Sequence, residues 1–184
     1  MTVLKKSPKV RKSGSPKDEK DGKNSQKSPE VRKSGSPKDE DRRNPHSKSV
    51  AYAFRILPHE DLKKTILGFA AKNSIRAGAI VTAVGSLEQF NIRFANCAEG
   101  TTKRGHFEIV SLVGTFSDSA CHVHLSISDN IGNTIGGHLL DGNLIYTTAE
   151  IVLIKLIDLE FRRNVDAEYG YRELVVVKSP KKKR

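Results

Sequence analysis

Residues 121–139 read CHVHLSISDNIGNTIGGHL, and this stretch predicts an antiparallel β-hairpin. Apolar and polar residues alternate over residues 123–128, which is typical of a strand with one buried face. Residues 129–133 are rich in Asp, Asn and Gly, which favour turns. A hairpin at this turn brings residues 135–138 back beside the first strand, so the surrounding sheet is expected to be antiparallel.

Three histidines occupy the predicted hairpin. His122 and His124 are two residues apart on a strand, so both imidazoles are expected on the same face. The returning strand brings His138 toward that face. Three neutral imidazoles that converge in this way form an open site for zinc or a similar metal, with a position left for water or substrate. The alternative is that each histidine is an ordinary surface or core residue.

One clear helix precedes the hairpin. Residues 49–57 alternate as a strand, Pro58 ends that strand, and residues 59–61 start a helix with acidic residues at its beginning. The helix is expected to close at residues 73–74. Its apolar stripe, which has the spacing of one helix face, consists of Leu62, Ile66, Phe69 and Ala70.

Strands make up the rest of the folded region, which we assign to residues 49–177. One helix followed by about seven strands predicts an α+β domain: an antiparallel sheet flanked by one or more helices. A parallel doubly wound fold would need helices between the strands, and the sequence has none there. Besides the hairpin, strand patterns cover residues 79–84, 89–94, 107–116, 144–158 and 171–177.

Other reactive side chains are candidates for supporting roles. Glu108 and Glu150 each lie in an otherwise apolar strand, so each is either a metal ligand or proton shuttle, or a residue on the solvent face. His106 precedes a strand and could add an imidazole. Cys97 and Cys121 lack CxxC spacing, and we expect both thiols to be buried. The alternative for Cys121, which is next to His122, is a nucleophile or a metal ligand. No catalytic residue is identifiable.

Most of the positive charge lies outside the domain. Of the net charge of +11, residues 1–48 contribute +8, residues 178–184 contribute +5, and the domain between them contributes −2. Residues 1–48 contain a duplicated segment with almost no apolar residues, so we expect a disordered basic tail. Ser-Pro pairs are either sites of proline-directed phosphorylation or common features of such tails; they begin at Ser7, Ser15, Ser28, Ser36 and Ser179.

The C-terminal tail ends in Lys181, Lys182, Lys183 and Arg184. Four consecutive cations are typical of a nuclear targeting signal, and Ser-Pro-Lys-Lys resembles a repeated unit of linker-histone tails. Contacts of this cluster with DNA phosphates would be salt-sensitive and independent of base sequence. The alternative is a solvated tail that aids solubility. Because no apolar run approaches about 18 residues and no signal peptide is visible, we expect a soluble intracellular protein with no membrane partner.

Several motifs, in one order, resemble those of a known family, the plants-and-prokaryotes conserved (PPC) domain. The resemblance extends over about residues 50–177 and implies an antiparallel sheet flanked by helices, assembled as a homotrimer. It also implies a metal, typically zinc, at His122, His124 and His138, as in prokaryotic members. The motifs are AVGSL (83–87), FEIVSLVGTF (107–116), HVHLSISD (122–129), GGHL (136–139) and YTTAEIVL (146–153).

The plant members of the family suggest a nuclear role. In land plants the PPC domain follows AT-hook motifs in nuclear DNA-binding proteins, where it mediates self-association and contacts other nuclear factors. The AT-hook core Arg-Gly-Arg-Pro is absent here, whereas the three histidines that plant members generally lack are present. The resemblance therefore implies a core of the prokaryotic type, to which basic tails add a nuclear character.

These features lead us to expect a nuclear DNA- or chromatin-associated protein that acts as a transcriptional regulator. A trimeric metal-binding core would gather basic tails that contact DNA non-specifically, with other nuclear proteins as further partners. One alternative is a zinc-dependent lyase or hydrolase, because the PPC fold is similar to that of acetolactate decarboxylase, in which histidines hold a catalytic zinc. Another is an oligomerisation module in which the metal is structural.

Overall fold

The structure, a computed structural model, describes residues 45–180. Eight strands and one helix occupy this part of the chain, and every strand pairing in it is antiparallel. The predicted class, an α+β domain with an antiparallel sheet and a flanking helix, is confirmed. In chain order the elements are β1 (Ser49–Ile56), α1 (Leu62–Lys72), β2 (Gly78–Arg93), β3 (Thr101–Phe116), β4 (Cys121–Ser128), β5 (Thr134–Leu139), β6 (Leu144–Leu156), β7 (Leu159–Val165) and β8 (Arg172–Lys178).

Six strands form one sheet in the order β1-β6-β2-β3-β4-β5, and β7 and β8 form a separate two-stranded ribbon. The far end of β2 also pairs with β5, with Ile92 opposite Leu139 and Arg93 opposite His138. β2 therefore contacts β6, β3 and β5, so the sheet curls back on itself at the end that carries the histidines.

Helix α1 begins at Leu62 because Asp61 caps it. One carboxylate oxygen of Asp61 accepts a hydrogen bond from the Lys64 N–H (3.0 Å), and the other accepts one from the Gly142 N–H (2.6 Å). Along the predicted stripe, Leu62, Ile66 and Ala70 are buried. Phe69 stacks on Phe54 of β1 with ring centroids 4.2 Å apart. The cap thus ties the helix start to the loop after β5, and the stripe packs the helix on the sheet.

Several strand boundaries differ from the prediction: β3 begins at Thr101 and not at residue 107, and β7 has no counterpart among the predicted strands. The strands predicted at residues 79–84 and 89–94 form one continuous strand, β2, which ends at Arg93; shifts in the β2–β3 and β2–β6 registers accommodate the residues between them. The expected strand at residues 144–158 ends at Leu156, where a turn at residues 157–158 leads into β7. Because the apolar run continues across that turn, hydropathy alone does not reveal where β6 ends.

The two faces of the sheet differ in character. Val123, Leu125 and Ile127 of β4 are buried in the core with the apolar stripe of α1. The intervening residues of β4 face the other way, and His124 lies opposite Val113 on β3. That outer face carries four exposed valines, each with 56–57% of its surface accessible: Val81, Val84, Val110 and Val113.

Both ends of the described chain meet at Asp158. Its side-chain oxygen accepts a hydrogen bond from the Lys48 N–H (3.0 Å), its N–H donates to the Ser47 hydroxyl (2.9 Å), and its carbonyl accepts from the Ser179 N–H (2.7 Å). Residues 1–44 and 181–184 lie outside the described residues, so the predicted tails at 1–48 and 178–184 stay predictions. Within residues 45–180, no helix is long and apolar enough to cross a membrane.

Candidate metal centre

The three histidines of the β4–β5 hairpin come together on the outer face of the sheet. One potential ligand nitrogen from each of His122, His124 and His138 lies within 4.8 Å of the others. The distances between ring centroids are 5.1 Å for His122 and His124, 5.2 Å for His122 and His138, and 5.7 Å for His124 and His138. The convergence that the spacing predicted is therefore present in the fold.

Two glycines allow the backbones to approach each other here. A Cβ at Gly137 would lie 2.6 Å from the Arg93 carbonyl oxygen, so a side chain at this position would push β5 away from β2. Gly114 of β3 has φ +153°, and a Cβ there would lie 2.2 Å from the His122 carbonyl oxygen. Close approach at both points fixes the strands that carry His122 and His138.

The surroundings of His122 and His138 favour neutral imidazoles. Burial lowers the pKa of His138 to about 4, with added repulsion from His122 and Arg93. Burial also lowers the pKa of His122, and the positive charge of Arg163 contributes in the same direction. Both rings are therefore neutral near pH 7, which leaves a nitrogen lone pair on each for a metal ion.

A pocket of about 470 Å³ opens beside His122 and His138. Part of its wall comes from the β7–β8 ribbon, which contributes arginine, tyrosine and glutamate side chains. Sequence reasoning missed these residues, because nothing in their spacing relates them to the histidines. The other lining residues are Arg93, Ala120, Cys121, Arg163, Tyr171, Arg172 and Glu173.

The supporting candidates lie outside the cluster. Glu108 and Glu150 are exposed, in register with Ser86 and Val84 of β2, and neither is among the grouped ligand atoms of the described residues. The hypothesis that one of them completes the metal site is not supported by this placement. Their apolar neighbours in sequence point into the core, and the glutamates occupy the alternate, solvent-facing positions.

His106 and the cysteines also have other environments. The His106 ring stacks on Tyr146 with centroids 4.2 Å apart and does not join the three histidines. The expectation of two buried thiols is wrong for Cys97, which is exposed in the turn after β2. Cys121 is half-buried, and desolvation raises the pKa of its thiol. A raised pKa disfavours the thiolate that a nucleophile or metal ligand requires.

Most of the predicted tail sites lie beyond the part of the chain that the structure describes. Ser179 is an exception: it is half-buried, and its hydroxyl accepts a hydrogen bond from the Arg76 guanidinium. The residues outside the described range are Ser7, Ser15, Ser28, Ser36, Lys181, Lys182, Lys183 and Arg184. Their proposed modification and DNA contacts stay predictions.

Comparison with known proteins gives a family match and several similar structures. A family model for the Plants and Prokaryotes Conserved (PCC) domain matches residues 44–157. The structure of a hypothetical protein from Salmonella cholerae-suis is similar at a TM-score of 0.72 and 35% identity, and the match covers 73% of this chain and 97% of that one. A metal-containing protein from Archaeoglobus fulgidus is similar at a TM-score of 0.59 and 25% identity, with 68% and 93% covered.

A curated relative matches over the same region. The bifunctional protein GlmU of Synechococcus sp. strain JA-3-3Ab is 42% identical over 127 residues, which make up 69% of this chain and 20% of GlmU. A second Synechococcus GlmU is likewise covered over 20% of its length. The chain thus spans about a fifth of the length of the curated relatives it matches.

Proposed function

Because this chain belongs to the Plants and Prokaryotes Conserved (PCC, or PPC) domain family, we propose that it is a self-associating, metal-binding protein that associates with DNA. His122, His124 and His138 hold the metal, for which zinc is the first candidate. The observation that carries the proposal is the convergence of three imidazole nitrogens within 4.8 Å. Basic segments on either side of the domain supply the DNA contacts.

The donor set fits a zinc ion. Neutral imidazoles are common zinc ligands, and three of them leave one position of a tetrahedral site open. The metal-containing relative from Archaeoglobus fulgidus, which is 25% identical, supports a metal in this fold. When bound by three histidines, zinc can lower the pKa of a coordinated water or polarise a carbonyl group.

The outer face of the sheet supports self-association. Val81, Val84, Val110 and Val113 are each more than half exposed, and they occupy the face that also carries His124. A group of exposed apolar side chains on one sheet face is typical of an interaction site. A homotrimer, the assembly that the family resemblance implies, would remove these valines from water.

DNA association is proposed for the basic segments and not for the domain. The net charge of +11 is concentrated in residues 1–48 and 178–184, while the domain is slightly acidic. Lys48 and Ser179, which lie at the domain-proximal ends of the two basic segments, both donate a backbone hydrogen bond to Asp158. Their attachment points therefore lie at one corner of the domain, and trimerisation would multiply weak phosphate contacts through effective concentration.

Nuclear localisation and regulation complete this proposal. Lys181, Lys182, Lys183 and Arg184 would act as the nuclear targeting signal, and a regulatory role in transcription with other nuclear proteins would follow from chromatin association. Phosphorylation at the five Ser-Pro sites would oppose DNA binding, because each event adds about −1.5 to −2 charges. At Ser179 a kinase must first displace the contact with Arg76.

A zinc-dependent lyase or hydrolase is the second candidate. The pocket of about 470 Å³ beside His122 and His138 favours it, because a small substrate could reach the open metal position there. Within residues 45–180 no carboxylate joins the three histidines as a potential ligand, and Glu173 is the carboxylate that lines the pocket. The third candidate, an oligomerisation module with a structural metal, needs the cluster and the valine face but not the pocket.

Elemental analysis combined with mass measurement and DNA binding separates these candidates. The full chain is compared with a His122→Ala/His124→Ala variant and with His106→Ala, which removes an imidazole outside the cluster. Metal in the wild type and His106→Ala but not in the double variant supports the proposed site. Loss of the oligomer together with the metal favours the structural candidate. A wild-type protein without metal contradicts both the metal centre and the enzyme candidate.

A further inference from the structure

We propose that the pocket beside His122 and His138 binds a small anionic ligand, through a carboxylate or phosphate group held by Arg93 and Arg163. The inference rests on the proposed metal centre, because it assigns the class of ligand that approaches the open side of the three-histidine site. It concerns the pocket wall and not the histidines themselves.

The fold places both arginines next to the histidines. Arg93 of β2 lies directly opposite His138 of β5. Arg163 of β7 donates a hydrogen bond to the Thr115 hydroxyl (3.1 Å), and Thr115 lies opposite His122 in the β3–β4 register. Two half-buried guanidinium groups, from strands far apart in sequence, thus border the same pocket as two of the three imidazoles.

These guanidinium groups are not neutralised by acids nearby. Within residues 45–180, no carboxylate lies within ion-pair distance of Arg93 or Arg163, whereas Arg162 pairs with Glu160 at 2.7 Å. The Arg93 side chain donates to the Cys97 carbonyl (3.2 Å), and Arg163 donates to a hydroxyl, so each keeps further N–H groups for a ligand. The lining holds three arginines and one glutamate, Glu173.

This composition fits a compact anion. Arginine binds carboxylate and phosphate groups in a bidentate manner, and partial burial strengthens the interaction. A volume of about 470 Å³ is in the range of small-molecule sites. A duplex presents its phosphates along an extended surface, so a concave site with histidines at its wall suits a small molecule better.

The ribbon that completes the pocket lies outside the family match. The match ends at residue 157, and β7 and β8 span Leu159–Val165 and Arg172–Lys178. Arg163, Tyr171 and Arg172 are therefore contributed by a segment beyond the matched domain. We infer that this ribbon adapts the histidine site of this chain to an anionic ligand.

The test uses the full chain loaded with Co²⁺, whose visible spectrum reports its ligands, and titrates it with inorganic phosphate and with acetate. We expect at least one of the two anions to change the spectrum, and Arg163→Ala to weaken that binding by about tenfold or more. Arg162→Ala is the matched control, because it removes the same charge from the same strand at a guanidinium paired with Glu160. It should change anion affinity by no more than about twofold.

A second measurement keeps the two proposals distinguishable. Metal content and circular dichroism are recorded for each variant, and Arg163→Lys retains the charge if alanine disturbs folding. If the wild type binds no Co²⁺, the proposal of a metal centre is wrong. The pocket is then tested by thermal unfolding in the presence of phosphate or acetate. The anion should raise the melting temperature of the wild type and of Arg162→Ala more than that of Arg163→Ala.

Three results overturn the inference. The first is that neither anion binds the wild type in either assay. The second is an equal effect of Arg162→Ala and Arg163→Ala on anion binding. The third is that Arg163→Ala weakens binding of a duplex oligonucleotide while phosphate and acetate affinities are unchanged, which would assign the pocket to nucleic acid.

Discussion

His124 and His138 lie directly opposite each other across the β4–β5 ladder. Side chains at directly opposite positions of an antiparallel pair share one face, with Cβ atoms about 4.5–5.5 Å apart. The three-histidine cluster is thus a consequence of strand register. A slip of one residue in β5 would turn His138 to the other face and dismantle the site.

The close approach at Gly137 gives the first prediction. Gly137→Ala should lower the free energy of unfolding by about 1–3 kcal/mol and weaken metal binding, because the new methyl group collides with the Arg93 carbonyl. The control is Gly68→Ala in helix α1, where a Cβ meets nothing within 4 Å and should stabilise the protein by up to about 1 kcal/mol. Urea denaturation and metal titration measure both effects. Equal unfolding free energies and equal metal affinities for the two variants would show that β5 tolerates displacement from β2.

The buried Asn143 amide gives the second prediction. Its oxygen accepts a hydrogen bond from the Asn91 N–H (2.9 Å), and its NH₂ group donates to the carbonyls of Asn91 (2.9 Å) and Leu140 (2.7 Å). Asn143→Asp replaces that double donor with a carboxylate facing two carbonyl oxygens in a fully buried site. We expect a loss of about 3 kcal/mol or more of unfolding free energy.

The matched control for this substitution is Asn164→Asp, at an exposed position of β7. It should change stability by less than about 0.5 kcal/mol. Denaturant titration of both variants measures the two changes in unfolding free energy. Similar stability of the two would mean that the Asn143 hydrogen bonds do not hold the β2–β5 corner.

The outer valines give the third prediction. Val84→Glu should reduce the molecular mass in solution without unfolding the chain, because it places a charge in the proposed subunit interface and opposite Glu150 of β6. Val165→Glu, at a valine of β7 that is 62% exposed and outside this face, is the control. Sedimentation equilibrium and circular dichroism measure mass and fold. An unchanged mass for Val84→Glu would place the interface elsewhere.

The basic C-terminus gives the fourth prediction. Replacing Lys181, Lys182, Lys183 and Arg184 by alanine in the full chain should weaken DNA binding and flatten its salt dependence, since each lost phosphate contact removes about 0.9 from the slope of log K against log salt. The change should be similar for unrelated DNA sequences. Lys63→Ala/Lys64→Ala, on helix α1 of the domain, should leave the slope unchanged. A slope that is unchanged in the C-terminal variant and reduced in Lys63→Ala/Lys64→Ala would place the DNA contacts on the domain.

The hairpin and its histidines could be predicted because their signals are local. Alternation at residues 123–128 and the turn-forming residues that follow determine which side chains of β4 share a face. The arginine-lined wall of the pocket could not be predicted in this way. Arg93 and Arg163 are brought together by β2–β5 pairing and by the docking of the β7–β8 ribbon, and both depend on long-range packing. The continuity of β2 was also hidden, because bulges preserve a strand where residue periodicity breaks.

X-ray absorption at the zinc edge of the full-length protein tests the central claim most directly. We expect a zinc ion with three imidazole ligands at about 2.0–2.1 Å, retained in His106→Ala and lost in His138→Ala. A protein without zinc after incubation with the metal, a coordination shell containing sulfur from Cys121, or an unchanged spectrum in His138→Ala would contradict the proposed centre.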